Sequence, residues 1–182
     1  MSLFHPDYTF LCYRDVDPAF LRAQGIEVLL LDIDNTLAPY EQAEPDGQIA
    51  AWLAAVKAAG IQPAFLSNNH GERVELFART LDVPVRYDAH KPLPRRGRKL
   101  LKQLGGHKKN AALMGDQIFT DVLCARLCGI RAILVPPIVD RTDRGTRFKR
   151  RMERGILKRY YKKHGEATDI RVGSPLTKEH TK

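Results

Sequence analysis

The sequence is poor in cysteine, with three in 182 residues, at positions 12, 124 and 128. An odd number without framework spacing excludes a small disulfide-stapled scaffold. Cys124 and Cys128 lie four apart, on one face of an expected helix, and read as reduced core residues rather than metal ligands or a redox pair. No stretch approaches the roughly 20 apolar residues of a membrane-spanning helix. The N-terminus lacks the basic start and apolar run of a signal peptide. The expectation is therefore a protein of the reducing cytoplasm. An evenly spread charge excess is missing as well. The net charge is +9, yet residues 141–164 hold eleven Lys/Arg against two acids, Asp143 and Glu153, and the remainder balances to zero. The basic character is local and calls for a local explanation.

Against these absences stands an alternation of apolar runs and helical periodicity. Strands are expected at 28–34, 62–67, 83–87, 111–115 and 131–135. Helices are expected from Asp46 to Gly60, then at 71–81, 94–104 and 119–127. Five strands alternating with helices imply an α/β fold, a parallel sheet covered on both faces. Residues 165–182 turn polar, lose periodicity and read as a flexible tail.

The first strand ends in a way that burial alone disfavours. "LLLDIDNTLAPY" runs from aliphatic residues into Asp32 and Asp34, although buried charge is costly. The second strand stops at Ser67, followed by Asn68 and Asn69. Lys91 follows the third strand, and the fourth stops at Gly115-Asp116, with Asp121 five residues on. Each feature has an ordinary reading: a solvated acidic turn, a helix-capping serine, a surface lysine. In an open parallel sheet, however, all four loops meet at the carboxyl edge, where ligands bind. Carboxylates suit Mg²⁺, a hard cation that wants oxygen ligands. One carboxylate can attack phosphorus, and a second can protonate the leaving oxygen. A hydroxyl and an ammonium can hold the remaining phosphate oxygens.

In this order, Asp32-Ile33-Asp34-Asn35-Thr36, Ser67, Lys91 and Gly115-Asp116 with Asp121 resemble the four motifs of the haloacid dehalogenase phosphatase superfamily. The resemblance implies a Rossmann-like three-layer fold around a central parallel sheet. It also implies Asp32 as nucleophile and Asp34 as general acid/base. Mg²⁺ would be bound by Asp32, Asp116 and the Asp34 carbonyl. Phosphate contacts would come from Ser67, Asn68 and Lys91, with Thr36 and Asp121 supporting. A narrower set of stretches, including "FLSNNHGERV", "HKPLPRRGRK" and "TRFKRRMERGILK", is similar to the YqeG family of subfamily IIIA, whose kin dephosphorylate phosphatidylglycerophosphate. Neither 36–62 nor 67–91 leaves room for a cap domain, so the site is expected to be open.

The organisation expected is a capless phosphatase domain over 1–140 with an N-terminal extension 1–26, a basic amphipathic helix 141–164, and the tail. That helix interleaves Phe148, Met152, Ile156, Leu157, Tyr160 and Tyr161 among cations. It can pack on its own domain, bind anionic membrane lipid at the inner face of a membrane, or bind nucleic acid. Three readings follow. The first is an Mg²⁺-dependent phosphatase of a phospholipid headgroup. The second is a phosphatase of a soluble, protein or nucleic-acid phosphomonoester. The third is a non-catalytic nucleic-acid-binding protein.

Overall fold

A computed structural model describes residues 2–139 and 144–164, with side chains over 152–162 in the second stretch. The expected tail, 165–182, lies outside the described residues, as do 140–143 at the head of the basic segment. Six strands form one sheet: β1 Tyr8–Thr9, β2 Val28–Leu31, β3 Gln62–Leu66, β4 Val85–Arg86, β5 Ala111–Gly115 and β6 Arg131–Leu134. They lie in the order β1-β6-β5-β2-β3-β4. All pairs are parallel. The helices are α1 Pro18–Ala23, α2 Gly47–Ala58, α3 Gly71–Ala78, α4 Pro94–Gln103, α5 Leu123–Cys128 and α6 Arg144–His164.

Period-two alternation sorts the central strand onto two cores. Leu29 and Leu31 of β2 point into one cluster with Leu21, Trp52, Val56 and Phe77, from α1, α2 and α3. Val28 and Leu30 point into the other, with Leu100, Leu101, Cys124 and Cys128 of α4 and α5; Ile156 and Leu157 of α6 pack against it. Helices thus cover both faces of the sheet. Both strand faces are buried, which is why "VLLL" shows no polar alternation. Cys124 and Cys128 are buried free thiols. Where a cap domain could be inserted, the chain between β2 and β3 holds a loop and α2, and the chain between β3 and β4 holds only α3.

The structure corrects five expectations of secondary structure. The first strand, expected over 28–34, ends at Leu31, because the chain turns back onto Ile33 O. The sheet has six strands rather than five, because β1, two residues long, is too short to show a period. The third expected strand contracts to Val85–Arg86. Pro84 before it has no N–H for a ladder, and β4 is an edge strand, where such a residue is tolerated. The second full helix ends at Ala78 rather than Leu81. The helix expected at 119–127 opens instead as a π-helical turn, Ile118–Val122, before α5.

The register aligns the strand ends. Leu31 pairs with Phe65 on one side and Met114 on the other. Asp32, Ser67 and Asp116 each follow directly, so one sheet edge collects them.

Candidate active site

Asp32 continues the β2 ladder by one bond, its N–H donating to Met114 O at 2.9 Å. The chain then folds back sharply: Thr36 and Leu37 N–H both reach Ile33 O, and Asn35 N–H reaches Ala38 O. Asn35 takes φ +61°, a left-handed conformation that asparagine tolerates better than most residues. This turn ends the strand and leaves the Asp32 carboxylate in the interior, 9% exposed as a side chain.

Lys91 meets it there. Its ammonium lies 2.7 Å from Asp32 Oδ1 and 2.7 Å from Asp121 Oδ1. Asn68 holds the loop that delivers it: Lys91 N–H donates to Asn68 Oδ1 at 2.6 Å, and Asn68 Nδ2 donates to Lys91 O at 3.0 Å. Asn68 thus clamps the lysine loop. Ser67 is fully buried, and its hydroxyl accepts the Asn69 N–H at 3.0 Å. The hydroxyl proton is what Ser67 can still offer an anion.

Asp121 enters through the π-helical turn. The wider turn carries its carboxylate inward, where Oδ2 accepts Gln117 N–H at 3.1 Å and the Thr120 hydroxyl at 3.2 Å. Such turns recur at functional sites because they re-aim a side chain that a regular helix would place elsewhere. Gly115 makes room: a Cβ there would collide with the Asp121 carboxyl carbon. The turn is braced from α6, where buried Glu153 accepts Ile118 N–H at 2.8 Å and Phe119 N–H at 3.4 Å. Sequence reading missed Glu153 as a brace. Its signal was an acid at an apolar position of an otherwise basic helix.

The result is a buried cluster in which Asp32, Asp116 and Asp121 each place one carboxylate oxygen within 4.8 Å of the other two. At an effective dielectric of 20, each like pair at that range repels by on the order of 3–4 kcal/mol. Burial pushes the Asp32 carboxyl well above the usual carboxylate range; Lys91 opposes this, while Asp121 and Asp116 add to it. Burial works against the Lys91 charge, but Asp121 and Asp32 outweigh it and hold the ammonium above its ordinary pKa. The Lys91 ammonium pairs with Asp32 and Asp121. The oxygen-only donor set of the cluster fits a hard divalent cation. The Thr36 hydroxyl, 1% exposed, also lacks a hydrogen-bond partner among the described residues.

Asp34 stands outside this cluster. Its Oδ1 accepts Nε and Nη2 of Arg73 at 3.0 and 2.7 Å, and its Oδ2 accepts Asn69 Nδ2 at 3.3 Å. Arg73 in turn lies over the Tyr40 ring, 4.7 Å from its centroid. Arg73 was invisible in the sequence, since one arginine on a polar helix face looks solvated. Of the residues expected at the site, Asp32, Lys91, Asp116 and Asp121 come together. Ser67 and Asn68 lie on the loop clamped to Lys91, and Asp34 sits beside the cluster on an arginine.

Helix α6 packs one flank on the domain. Tyr160 is buried and donates to Pro6 O at 3.3 Å. Arg154, Lys158, Arg159 and Lys162 are exposed. Met152, read as part of the apolar face, is exposed instead. No helix among the described residues is long and apolar enough to cross a membrane.

A family model described as haloacid dehalogenase-like hydrolase matches residues 9–129. The chain is 31% identical over 156 residues to the probable phosphatase YqeG of Bacillus subtilis (strain 168), spanning 86% of this chain and 91% of that protein. Among solved structures, the cobalt-bound deoxy-D-mannose-octulosonate 8-phosphate phosphatase of Haemophilus influenzae gives a TM-score of 0.50 at 17% identity, covering 76% of this chain and 90% of its own. An uncharacterized protein from Listeria monocytogenes serotype 4b gives 0.50 at 19% identity, covering 60% and 78%. At these identities the two structures speak for the fold.

Proposed function

Because the chain belongs to the haloacid dehalogenase-like hydrolases and is a phosphatase, we propose that it hydrolyses a phosphomonoester through a covalent intermediate on Asp32. The observation that carries this is the buried Asp32–Asp116–Asp121 cluster with the Lys91 ammonium set into it. A divalent cation, Mg²⁺ by the hardness of the donors, would be held by Asp32 and Asp116 with Asp121 behind them, and when bound would offset the repulsion between carboxylate and phosphate.

Asp32 attacks phosphorus; the Asp32 O–P bond forms as the bond from phosphorus to the leaving oxygen breaks. Asp34 gives its proton to that oxygen, then takes one from the water that cleaves the aspartyl-phosphate. Lys91 and the Ser67 hydroxyl bind the phosphate oxygens, where charge spreads in the transition state. Arg73 orients Asp34 through two bonds to its Oδ1.

The substrate we assign is a phospholipid headgroup, phosphatidylglycerophosphate being the candidate that the sequence resemblance to the YqeG family implies. Two observations favour it. Among the described residues no cap covers the catalytic edge, so the substrate must supply its own cover. Helix α6 leaves Arg154, Lys158, Arg159 and Lys162 exposed, a surface suited to anionic lipid at about 1 kcal/mol per cation. A second reading, a nucleic-acid phosphomonoester, draws on a cavity of about 520 Å³ lined by Arg86, Arg95, Arg96 and Lys99. A panel of lipid, nucleotide and peptide phosphomonoesters, with and without anionic vesicles, separates the two. Asp32→Asn must abolish turnover of every substrate without unfolding the protein. Turnover by folded Asp32→Asn protein would sink the covalent mechanism.

A further inference from the structure

Arg73, in the first turn of α3, closes on Asp34 with one edge of its guanidinium. Nε and Nη2 donate to Asp34 Oδ1 at 3.0 and 2.7 Å. Nη2 also leans on Pro39 O at 3.4 Å, while Nη1 donates to nothing among the described residues. The Tyr40 ring lies over the guanidinium, 4.7 Å from its carbon to the centroid, and fixes its plane. The Arg73 side chain is 19% exposed, so the guanidinium can be reached from outside. A planar guanidinium offers two forks to an anion. Here the side-on fork is spent on Asp34, and the end-on edge is left uncommitted.

We propose that Arg73 selects the leaving group: while Nε and Nη2 keep Asp34 in place, the Nη1 edge binds a second anionic group carried by the leaving alcohol. The proposal rests on the phosphatase reading above and names the residue that chooses the substrate. Asp34 protonates the leaving oxygen, so whatever that oxygen carries lies beside Asp34 and within reach of the guanidinium bonded to it. Charge argues the same way. In the ion pair, guanidinium and carboxylate cancel. Once Asp34 carries the proton it is about to give, it is neutral, and the Arg73 charge loses its partner in a site that is largely closed. An unpaired cation away from water is costly. An anion on the leaving group replaces the lost partner at the moment acid catalysis needs it. A sugar hydroxyl or an alkyl chain brings no such charge. The substrate class is therefore a phosphomonoester whose alcohol bears a carboxylate or a further phosphate a few bonds away.

The test compares 3-phosphooxypropionate with 3-phosphooxypropanamide, which have nearly the same shape and differ by one charge. The wild type should prefer the carboxylate by roughly 10- to 10²-fold in kcat/KM, the range expected of charge-assisted hydrogen bonds. Arg73→Gln should slow both esters, because Asp34 loses its support, and the ratio between them should fall to near unity. The ratio cancels whatever Arg73 does for Asp34, so a purely positioning role leaves it unmoved. Arg73→Lys keeps the charge without the fork and should restore part of the preference. Binding gives a readout apart from turnover. The wild type should bind 4-phosphonobutanoate, which cannot be hydrolysed, more tightly than 4-phosphonobutanamide by a similar factor, and Arg73→Gln should bind the two alike. Phosphatidylglycerophosphate in vesicles and glycerol 1,3-bisphosphate in solution separate a lipid source from a free phosphate. Arg73→Gln should cost the same factor on whichever of the two the wild type hydrolyses. Equal kcat/KM for carboxylate and amide in the wild type overturns the anion site and leaves the phosphatase chemistry standing. A preference that survives Arg73→Gln but disappears when Arg95 and Lys99 become Gln puts the second anion in the basic cavity and overturns the assignment too. Phosphonate selectivity that Arg73→Gln abolishes, in a protein that hydrolyses neither ester, keeps the anion site and sinks the catalytic reading.

Discussion

Replacing Lys91 by methionine tests the electrostatic description of the site most directly. The side chain is 2% exposed, and its ammonium sits 2.7 Å from two carboxylates, so the substitution removes the cation that pairs buried Asp32 and Asp121. Removing one partner of a buried ion pair costs about 3–5 kcal/mol. In a chain of this size each kcal/mol moves Tm by about 2–4 °C, so the metal-free variant should melt roughly 6–20 °C below the wild type. The deficit should depend on pH. Asp32 already has a raised folded-state pKa, and Lys91 is the main influence lowering it. Without Lys91 that pKa rises further. A carboxyl whose folded pKa exceeds its unfolded value favours the fold most at low pH, and this contribution is lost as pH climbs towards the folded pKa. The variant should therefore lie near the wild type at pH 5 and fall behind by pH 8. Mg²⁺ should rescue it more than it stabilises the wild type, because the cation no longer competes with an ammonium for the same oxygens. Circular-dichroism melts in EDTA at both pH values, followed by an Mg²⁺ titration, read all three effects. An unchanged Tm in EDTA at pH 8 would refute the idea that Lys91 holds the carboxylates together.

Four further outcomes follow from the same geometry. EDTA should remove wild-type activity, and Asp116→Ala should lower Mg²⁺ affinity and rate together; full activity in metal-stripped protein counts against the cation site. Asp34→Asn should slow alkyl phosphates by roughly 10²-fold or more and an aryl phosphate less, since a phenolate leaves with little help; equal losses would confine Asp34 to positioning. Gly115→Ala should weaken Mg²⁺ binding and turnover, because the new methyl displaces the Asp121 carboxyl; Mg²⁺ affinity at the wild-type level would show that Asp121 is not needed there. Replacing Arg150, Arg151, Arg154 and Lys158 with Gln should reduce sedimentation with anionic vesicles while sparing a small soluble phosphate, and wild-type binding should fall with salt. Tight RNA or DNA binding by a wild-type protein that ignores such vesicles would transfer the helix to nucleic acid.

The sequence by itself determined the four inner strands of the sheet and the edge on which their polar residues collect. Runs such as "VLLL" and "AALMG" can be satisfied only by burial on both faces, and an acid or hydroxyl directly after such a run must lie at the strand's carboxyl end. Asp32, Ser67 and Asp116 were legible for that reason, and so was α2, with Asp46 capping it through Ile49 N–H at 2.8 Å. Tertiary structure alone decided which charges meet. Asp121 reaches the cluster because a π-helical turn re-aims it, and nothing in local periodicity distinguishes that turn from the first turn of an α-helix. Arg73 finds Asp34 across 39 positions, and Glu153 braces the Asp121 turn from 35 positions away. Two-residue strands such as β1 have no period to read and exist because a neighbour's edge offers hydrogen bonds. An apolar cavity beside Asp116 belongs to the same class. Leu11, Leu134 and Leu157 come from three distant segments, and only their packing leaves an open space where each sequence alone shows one more hydrophobic residue.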